Sequence, residues 1–276
     1  MKKTIILSMV LLLLCNGWSG AINQTNQKPI EIFVNGKYVQ SDVDPVLINE
    51  RTYIPIRAIS EAMGINNVQW NTSTRTATVT NQQFQMEMGI GKQYISSNGR
   101  YFYAEDGVLL LQNRTMAPVR AFANASGAKV EWNGEKRQVY ITQSNKPVLT
   151  AQQVYNEEDI YWLSRIIHAE SEGESLVGQI AVGNVVLNRV RSSDYPNNIH
   201  DVIFDTNYGV QFEPTQNGTI NNTPSDRAII AAKICLEGYS TAGECLYFLN
   251  IKTAQSLWIT NNRNYYSTIG NHSFYL

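Results

Sequence analysis

Three kinds of apolar patterning follow one another along this chain. The first is an unbroken apolar run from Ile5 to Leu14, behind Lys2 and Lys3 and ahead of the small residues Ser19 and Ala21. It is too short for a membrane span, and charge, apolar run and small-residue site together predict a secretory signal peptide over residues 1–21. The second is alternation. Ala77 and Val79 sit between Thr76, Thr78 and Thr80, and Val139 and Ile141 repeat the spacing, so half-buried strands are predicted at both places. The third has the helical period. Ile56, Ile59 and Met63 mark one short helix that Gly64 stops, and Ile160, Leu163 and Ile167, widened by Ile166, mark a longer one.

The strand and short-helix patterns occur twice. INERTYIPIRAISEAMGI at 48–65 is echoed by LQNRTMAPVRAFANASGA at 111–128, and Trp70–Asn71 return as Trp132–Asn133. Two small α+β units are therefore expected, each with a helix opened by a proline, Pro55 or Pro118, in its first turn. Ile30 to Val34 with Asn35–Gly36 behind it predicts a strand and a tight turn. Arg57 and Arg120 recur at one framework position and are expected to pair a carboxylate or carbonyl, with ligand binding as the alternative.

After a short Pro-containing linker, the second half reads as mainly helical. Asn156 caps the helix carrying Ile160 to Ile167, with Asp159 as its capping-box partner. Three residues past Ile167 the same stripe reaches Glu170. A carboxylate placed there loses solvation and meets the negative end of the helix dipole, and both effects hold its proton on. LVGQIAVGNVVLNRV is a second helix, apolar nearly all round, with Gly178, Ala181 and Gly183 for close packing. Its amides Gln179, Asn184 and Asn188 need partners, either loop carbonyls or the site itself. A long Asn-, Pro- and Gly-rich stretch follows, with Tyr195, Phe204, Tyr208 and Phe212 in it. Thr223, Pro224 and Asp226 then open a third helix that ends at Gly238. An acid in an apolar stripe beside aromatic loops suits glycosidic cleavage, where a carboxylic acid protonates the leaving oxygen.

Composition adds exclusions. The net charge of −1 falls to −3 without Lys2 and Lys3, and neither half carries the basic patch that nucleic-acid binding needs. Only Cys235 and Cys245 follow the signal, so the fold is no disulfide scaffold; the pair is open to bridging or to remaining as buried thiols. His168, His200 and His272 are widely spaced, with no tight metal-ligand pair. No cofactor and no metal are expected.

The repeat resembles the copper amine oxidase N-terminal domain across residues 29–142, on the NERTYIPIRA segment with its following Gly and Trp–Asn, twice over. That resemblance implies a non-catalytic extracellular stalk that spaces or attaches an enzyme. Residues 160–276 resemble the catalytic domain of SleB-like spore cortex-lytic cell-wall hydrolases. IIHAESEGESLVGQIAVGNVVLNRV, QFEPTQNGTI, GECLYFLN and the closing IGNHSFY carry the likeness in order. It implies a lysozyme-like fold, peptidoglycan cleavage at muramic acid, Glu170 as the essential acid and Glu174 in support. Glu172 and Cys245 stand where the family carries smaller or different residues.

The expected organisation is α+β: signal peptide 1–21, stalk 22–142 with repeats at about 29–80 and 92–142, linker 143–152, and a mainly helical lysozyme-like catalytic domain 153–276. The expected site has Glu170 as catalyst and Glu174, Asn188 and His272 in support. Gln211, Phe212, Gly218, Tyr247 and Tyr266 are the expected sugar-contacting residues. Asp205 and Glu213 are the nearest loop acids and are expected to be surface or capping groups. The expected activity is a lytic transglycosylase on peptidoglycan glycan strands, secreted to the cell wall or spore envelope of a bacterium, with wall attachment through the stalk. A hydrolytic muramidase, an amidase and a non-catalytic wall-binding protein are the alternatives.

Overall fold

The computed structural model describes residues 28–207, 209–254 and 256–276. The expected signal peptide lies outside the described residues. β1 (Glu31–Val34) turns through Asn35 and Gly36, both at positive φ, into β2 (Lys37–Tyr38). The Asn–Gly pair suits such a turn because both positions must enter the left-handed region. β3 (Val46–Ile48), β4 (Arg51–Pro55), α1 (Ile56–Ala62), β5 (Asn67–Asn71) and β6 (Thr76–Thr80) follow. Next come β7 (Gln85–Gly89), β8 (Tyr94–Ser97) and β9 (Arg100–Tyr103). β10 (Leu109–Leu111), β11 (Arg114–Pro118), α2 (Val119–Ala125), β12 (Lys129–Asn133) and β13 (Gln138–Thr142) run in the same order as β3 to β6.

The two series are interleaved. β1 lies parallel to β13 in a sheet ordered β12-β13-β1-β2, while β5 to β9 form a second sheet in chain order. Between them β4 and β11 pair antiparallel with Ile54 opposite Ala117, two positions that are 63 residues apart, as the repeated motifs are. One apolar core joins Ile54, Ile59, Val79, Phe122, Val139 and Ile141. The inward alternation of Ala77, Val79, Val139 and Ile141 agrees with the sequence, and each fully buried Val or Ile contributes about 1.5–3 kcal/mol. Pro55 and Pro118 end strands β4 and β11 and stand at the N-caps of α1 and α2, one position before the expected first turn. A ring that fixes φ is compatible with the extended residue that closes the strand.

In the second half, α3 (Ala151–Val154) precedes α4 (Glu157–Ser171) and α5 (Leu176–Arg191). Asn156 accepts from the Glu158 N–H as expected, but Asp159 returns no bond; the reciprocal capping box forms at α3, between Thr150 and Gln153. The aromatic-rich stretch is not irregular throughout, since it contains α6 (Ile199–Ile203) and α7 (Pro214–Asn217). α8 (Asp226–Leu236) starts two residues later than the sequence suggested. Ser225 caps it, because the Ser225 side chain accepts from Ala228 N. β14 (Tyr247–Leu249), α9 (Trp258–Asn262), β15 (Tyr265–Ile269) and β16 (His272–Tyr275) complete the chain.

The strands β14-β16-β15 form a sheet, so this half is mixed α+β rather than mainly helical. All four residues of β16 are buried, which a strand covered on both faces requires. α4, α5 and α8 pack around Leu163, Ile166, Ile180, Val186 and Ile234. Gly183 permits the approach: a Cβ there would lie 2.7 Å from Ile167 Cδ1 and 2.8 Å from Cys235 Sγ. Cys235 and Cys245 are both free and buried.

The two halves are fastened together. Tyr103 of β9 is buried in the helical core, and Arg100 donates twice to Glu237, at 2.7 and 2.6 Å, where the Tyr155 hydroxyl also bonds. Asn98 holds the Val148 carbonyl and its own carbonyl receives Ala151 N–H, so the segment before α3 is pinned to the β8–β9 turn.

Candidate active site

Helix α4 delivers Glu170 to the wall of a groove of about 1570 Å3. Leu163, Ile166 and Ile167 on the same stripe are fully buried, so the helix face that seats the core also aims Glu170 inward. No hydrogen bond or ion pair joins Glu170 to a described residue. Burial above all, with a smaller push from the charge of Glu213, raises its pKa from 4.5 to about 7, against the opposing pull of Arg189. A glutamate in that range holds its proton at neutral pH over a substantial fraction of molecules, which is the condition for a general acid.

Glu174 has a different part. Its carboxylate is buried and accepts from Asn271 N–H and from Asn271 Nδ2, the latter at 2.8 Å. The β15–β16 turn passes so close that a Cβ on Gly270, at φ +60°, would come within 1.8 Å of Glu174 Oε2. Glu174 therefore clamps the loop after α4 to the C-terminal sheet. His272 follows in that sheet with Nδ1 3.6 Å from Glu174, too long for a hydrogen bond, and its ring meets Phe248 edge-on. Burial lowers the His272 pKa, partly offset by Glu174, which keeps the imidazole neutral at pH 7.

Gln211, Phe212 and Tyr247 line the same groove. Three expected site residues do not. Asn188 is turned away and donates to the Gly243 and Cys245 carbonyls at 2.9 and 2.8 Å, so it latches the loop that leads into β14. Gly218 ends α7 at φ +82° and serves the backbone. Tyr266 packs over Gly243, where a Cβ would meet its hydroxyl at 2.8 Å. Gln179 and Asn184 likewise satisfy backbone carbonyls, at Ser171 where α4 ends and at Tyr239. Asp205 is buried and caps the Asn207 N–H, whereas Glu213, exposed as expected, also lines the groove. His168 does not line the groove, and its Nδ1 is buried without a hydrogen-bond partner.

The residue that sequence reading missed is Arg189. It is 5% exposed, lines the groove, and donates from Nε to the Leu246 carbonyl at 2.8 Å. Its guanidinium lies 5.1 Å from the ring centres of both Tyr195 and Phe212 and 5.8 Å from that of Tyr247, while Nη1 has no hydrogen-bond partner. Arg263, over Tyr247 and Trp258, extends the basic and aromatic wall. Among the described residues no cluster of three His, Cys, Asp or Glu is placed to hold a metal.

Residues 173–275 match the sequence model described as Cell Wall Hydrolase. The second half is a cell-wall hydrolase domain. The match begins three residues beyond Glu170, so the role of that residue has to stand on the geometry. Residues 33–141 match the copper amine oxidase N-terminal domain. Every histidine, and both cysteines of the described residues, lie outside that span, and what remains does not fit a copper site, which uses imidazole or sulfur. A spore cortex-lytic enzyme of Bacillus cereus is 37% identical over 120 residues, 44% of this chain and 45% of that protein. One from Oceanobacillus iheyensis is 34% identical over 128 residues, 46% of this chain and 45% of its own length. The chain thus spans about half the length of the curated relatives it matches. Among solved structures, the catalytic domain of the germination-specific lytic transglycosylase SleB from Bacillus anthracis is 36% identical, covering 44% of this chain and 97% of that one, with a TM-score of 0.41.

Proposed function

We propose that this chain is a secreted peptidoglycan-cleaving enzyme, a lytic transglycosylase that uses Glu170 as its single acid and then base. The observation that carries the reading is a glutamate with its pKa raised to about 7, unpaired, on the wall of a groove large enough for several sugar rings. In the first step the Glu170 proton passes to the oxygen between N-acetylmuramic acid and N-acetylglucosamine, and the C1–O bond breaks. In the second the Glu170 carboxylate takes the proton of the muramic C6 hydroxyl as that oxygen bonds to C1, closing a 1,6-anhydro ring. The attacking oxygen belongs to the substrate, so proximity replaces a second protein nucleophile. Arg189 supplies positive charge to the polar groups of the saccharide, and Phe212, Tyr247 and Trp258 offer ring faces to its C–H surfaces.

Glu213 favours a second reading. A second carboxylate on the groove wall is what a hydrolase uses to activate water. Digestion of purified peptidoglycan separates the two: anhydromuramic ends are expected, reducing muramic ends would select hydrolysis, and released peptide stems would select an amidase. Glu170→Gln is expected to release none of these. The fold assignment accompanying this reading is a lysozyme-like helical arrangement of α4, α5 and α8 with a sheet closing the groove. The stalk, in the same reading, is an internal duplication of about residues 29–80 and 92–142. The antiparallel pairing of Ile54 with Ala117, equivalent positions of the two copies, supports a local two-fold between them.

A further inference from the structure

Among the cavities of the first half outside the groove, two correspond to one another. One, of about 650 Å3, is lined by Arg57 and Trp70 and closed by Asn113 and Arg114. The other, of about 430 Å3, is lined by Arg120 and Trp132 and closed by Glu50 and Arg51. Arg57 and Arg120 are 63 positions apart, as are Arg51 and Arg114, and the two tryptophans are 62 apart. Each cavity therefore takes a helix start and an edge-strand tryptophan from one copy and a hairpin arginine from the other. The pairing of Ile54 with Ala117 lies between them.

The two arginine pairs differ in what they do. Arg51 is committed to Glu105 and Asp106, and Arg114 to Asp42. Those are framework pairs. Arg57 and Arg120 were expected to do the same, yet neither has a hydrogen bond or ion pair with any described residue, and both are exposed. Beside them Trp70 and Trp132 are 40% and 44% exposed. Trp70 lies opposite Ala77 and Trp132 opposite Val139, so each indole sits over the end of the buried face of its sheet and leaves the rest of its surface open. An indole left this open has apolar surface to cover, and an unpaired guanidinium beside it has five donors to offer.

We infer that these are two equivalent saccharide-binding sites through which the stalk holds the glycan strands of the wall. A sugar ring has an apolar C–H face for the indole and equatorial oxygens, with an acetamido carbonyl in the N-acetylated units, for the guanidinium. Each cavity also holds a carboxylate with no ion-pair partner among the described residues, Glu61 in one and Glu50 in the other, so neither lining carries the net positive charge that would select an anion and both suit a largely uncharged ring. A polymer that repeats the same unit can occupy both sites at once. The choice of the peptidoglycan strand as that polymer rests on the proposed action of the second half, to which the stalk is locked by Arg100 and Glu237.

The test uses the full chain carrying Glu170→Gln, so that the polymer survives, and measures its sedimentation with purified sacculi, intact or stripped of secondary wall polymers by hydrofluoric acid. Trp70→Ala or Trp132→Ala alone should weaken binding about three- to tenfold, and the two together about ten- to a hundredfold, because two linked sites multiply their effects. Arg57→Gln with Arg120→Gln should behave in the same way. In the parent with Glu170 intact, the double tryptophan variant should still cleave short soluble glycan fragments at the unsubstituted rate. A double variant that sediments like its parent, or that loses soluble cleavage in proportion, overturns the sites. Binding confined to unstripped sacculi overturns the peptidoglycan strand as the ligand. Loss of all cleavage products from the unsubstituted enzyme would instead count against the proposed reaction and leave the binding result to be judged alone.

Discussion

Replacing Glu170 with glutamine should make the protein more stable at alkaline pH and not at acid pH. The wild-type group binds its proton more tightly folded than unfolded, since its pKa rises from 4.5 to about 7. The folded chain therefore keeps a proton that the unfolded chain releases between those values, and stability falls as pH climbs through that window. Each pKa unit is worth about 1.4 kcal/mol, so ionised Glu170 costs the fold about 3 kcal/mol once the pH exceeds 7. Glutamine has the same shape and no charge to desolvate. The difference in unfolding free energy, variant minus wild type, should thus be about 3 kcal/mol more favourable to the variant at pH 8 than at pH 4. Urea unfolding followed by tryptophan fluorescence at the two pH values measures it, and taking the difference cancels every other titrating group. Activity should be lost at both. A stability difference independent of pH would refute the reasoning, because it would mean that the carboxyl ionises as readily in the fold as in water.

The same electrostatics make Arg189 a lever. Its charge pulls the Glu170 pKa down, so Arg189→Met should move the alkaline limb of the pH–rate profile above 7 and raise KM for glycan, whereas Lys at that position should leave the limb nearer its original place. Gly270→Ala should destabilise the protein by about 2–3 kcal/mol, since the backbone is at positive φ and the new methyl would displace the Glu174 carboxylate; thermal unfolding of the variant checks this. Glu237→Gln leaves the Arg100 guanidinium half-paired in a largely buried contact and should cost about 3 kcal/mol in denaturant titration, loosening the stalk without altering cleavage of soluble fragments.

Local patterns carried much of this architecture, and long-range contacts carried what they missed. The strand of Thr76–Thr80 and the stripe of Leu163 to Ile167 follow from residues next to one another, so their periods announced them. Glu170 was found by extending one such stripe by three positions. The same step along α5, from Val182 to Val185 and on four residues, lands on Arg189, although an arginine in a helix's last turn ordinarily serves the dipole in solvent. Asn188, Gly218 and Tyr266 stand outside the groove lining for the opposite reason. Their neighbours in sequence belong to the motif, but the amide, the turn and the ring each satisfy backbone that the chain brings back from elsewhere. The C-terminal sheet has no such local signature, because its pairing of Tyr247 with Tyr275 spans residues that no local window joins.

The placement of Arg189 is consistent with the raised pKa of Glu170 beside a cation, the condition the proposed mechanism needs. A direct ion pair at about 3 Å would favour the carboxylate and drain the proton before substrate arrives. Here the guanidinium is held off by other partners: Nε is committed to the Leu246 carbonyl, and the rings of Tyr195, Phe212 and Tyr247 surround its faces. The Coulomb attraction that remains is smaller than the cost of burying the carboxylate, which is why burial leads among the causes of the raised pKa and Arg189 only trims it. In the proposed mechanism the carboxylate left after proton transfer still carries the cost of burial, and the charge of Arg189 offsets part of it. The attraction of Arg189 that trims the resting pKa is the same one that would lower the cost of the proposed proton transfer, and it acts without an ion pair to Glu170. Loop 243–246 fixes that distance through the Leu246 carbonyl, and Asn188 fixes the loop. In the proposed mechanism Asn188 thus acts from outside the groove, by holding the loop that anchors Arg189 rather than by touching sugar.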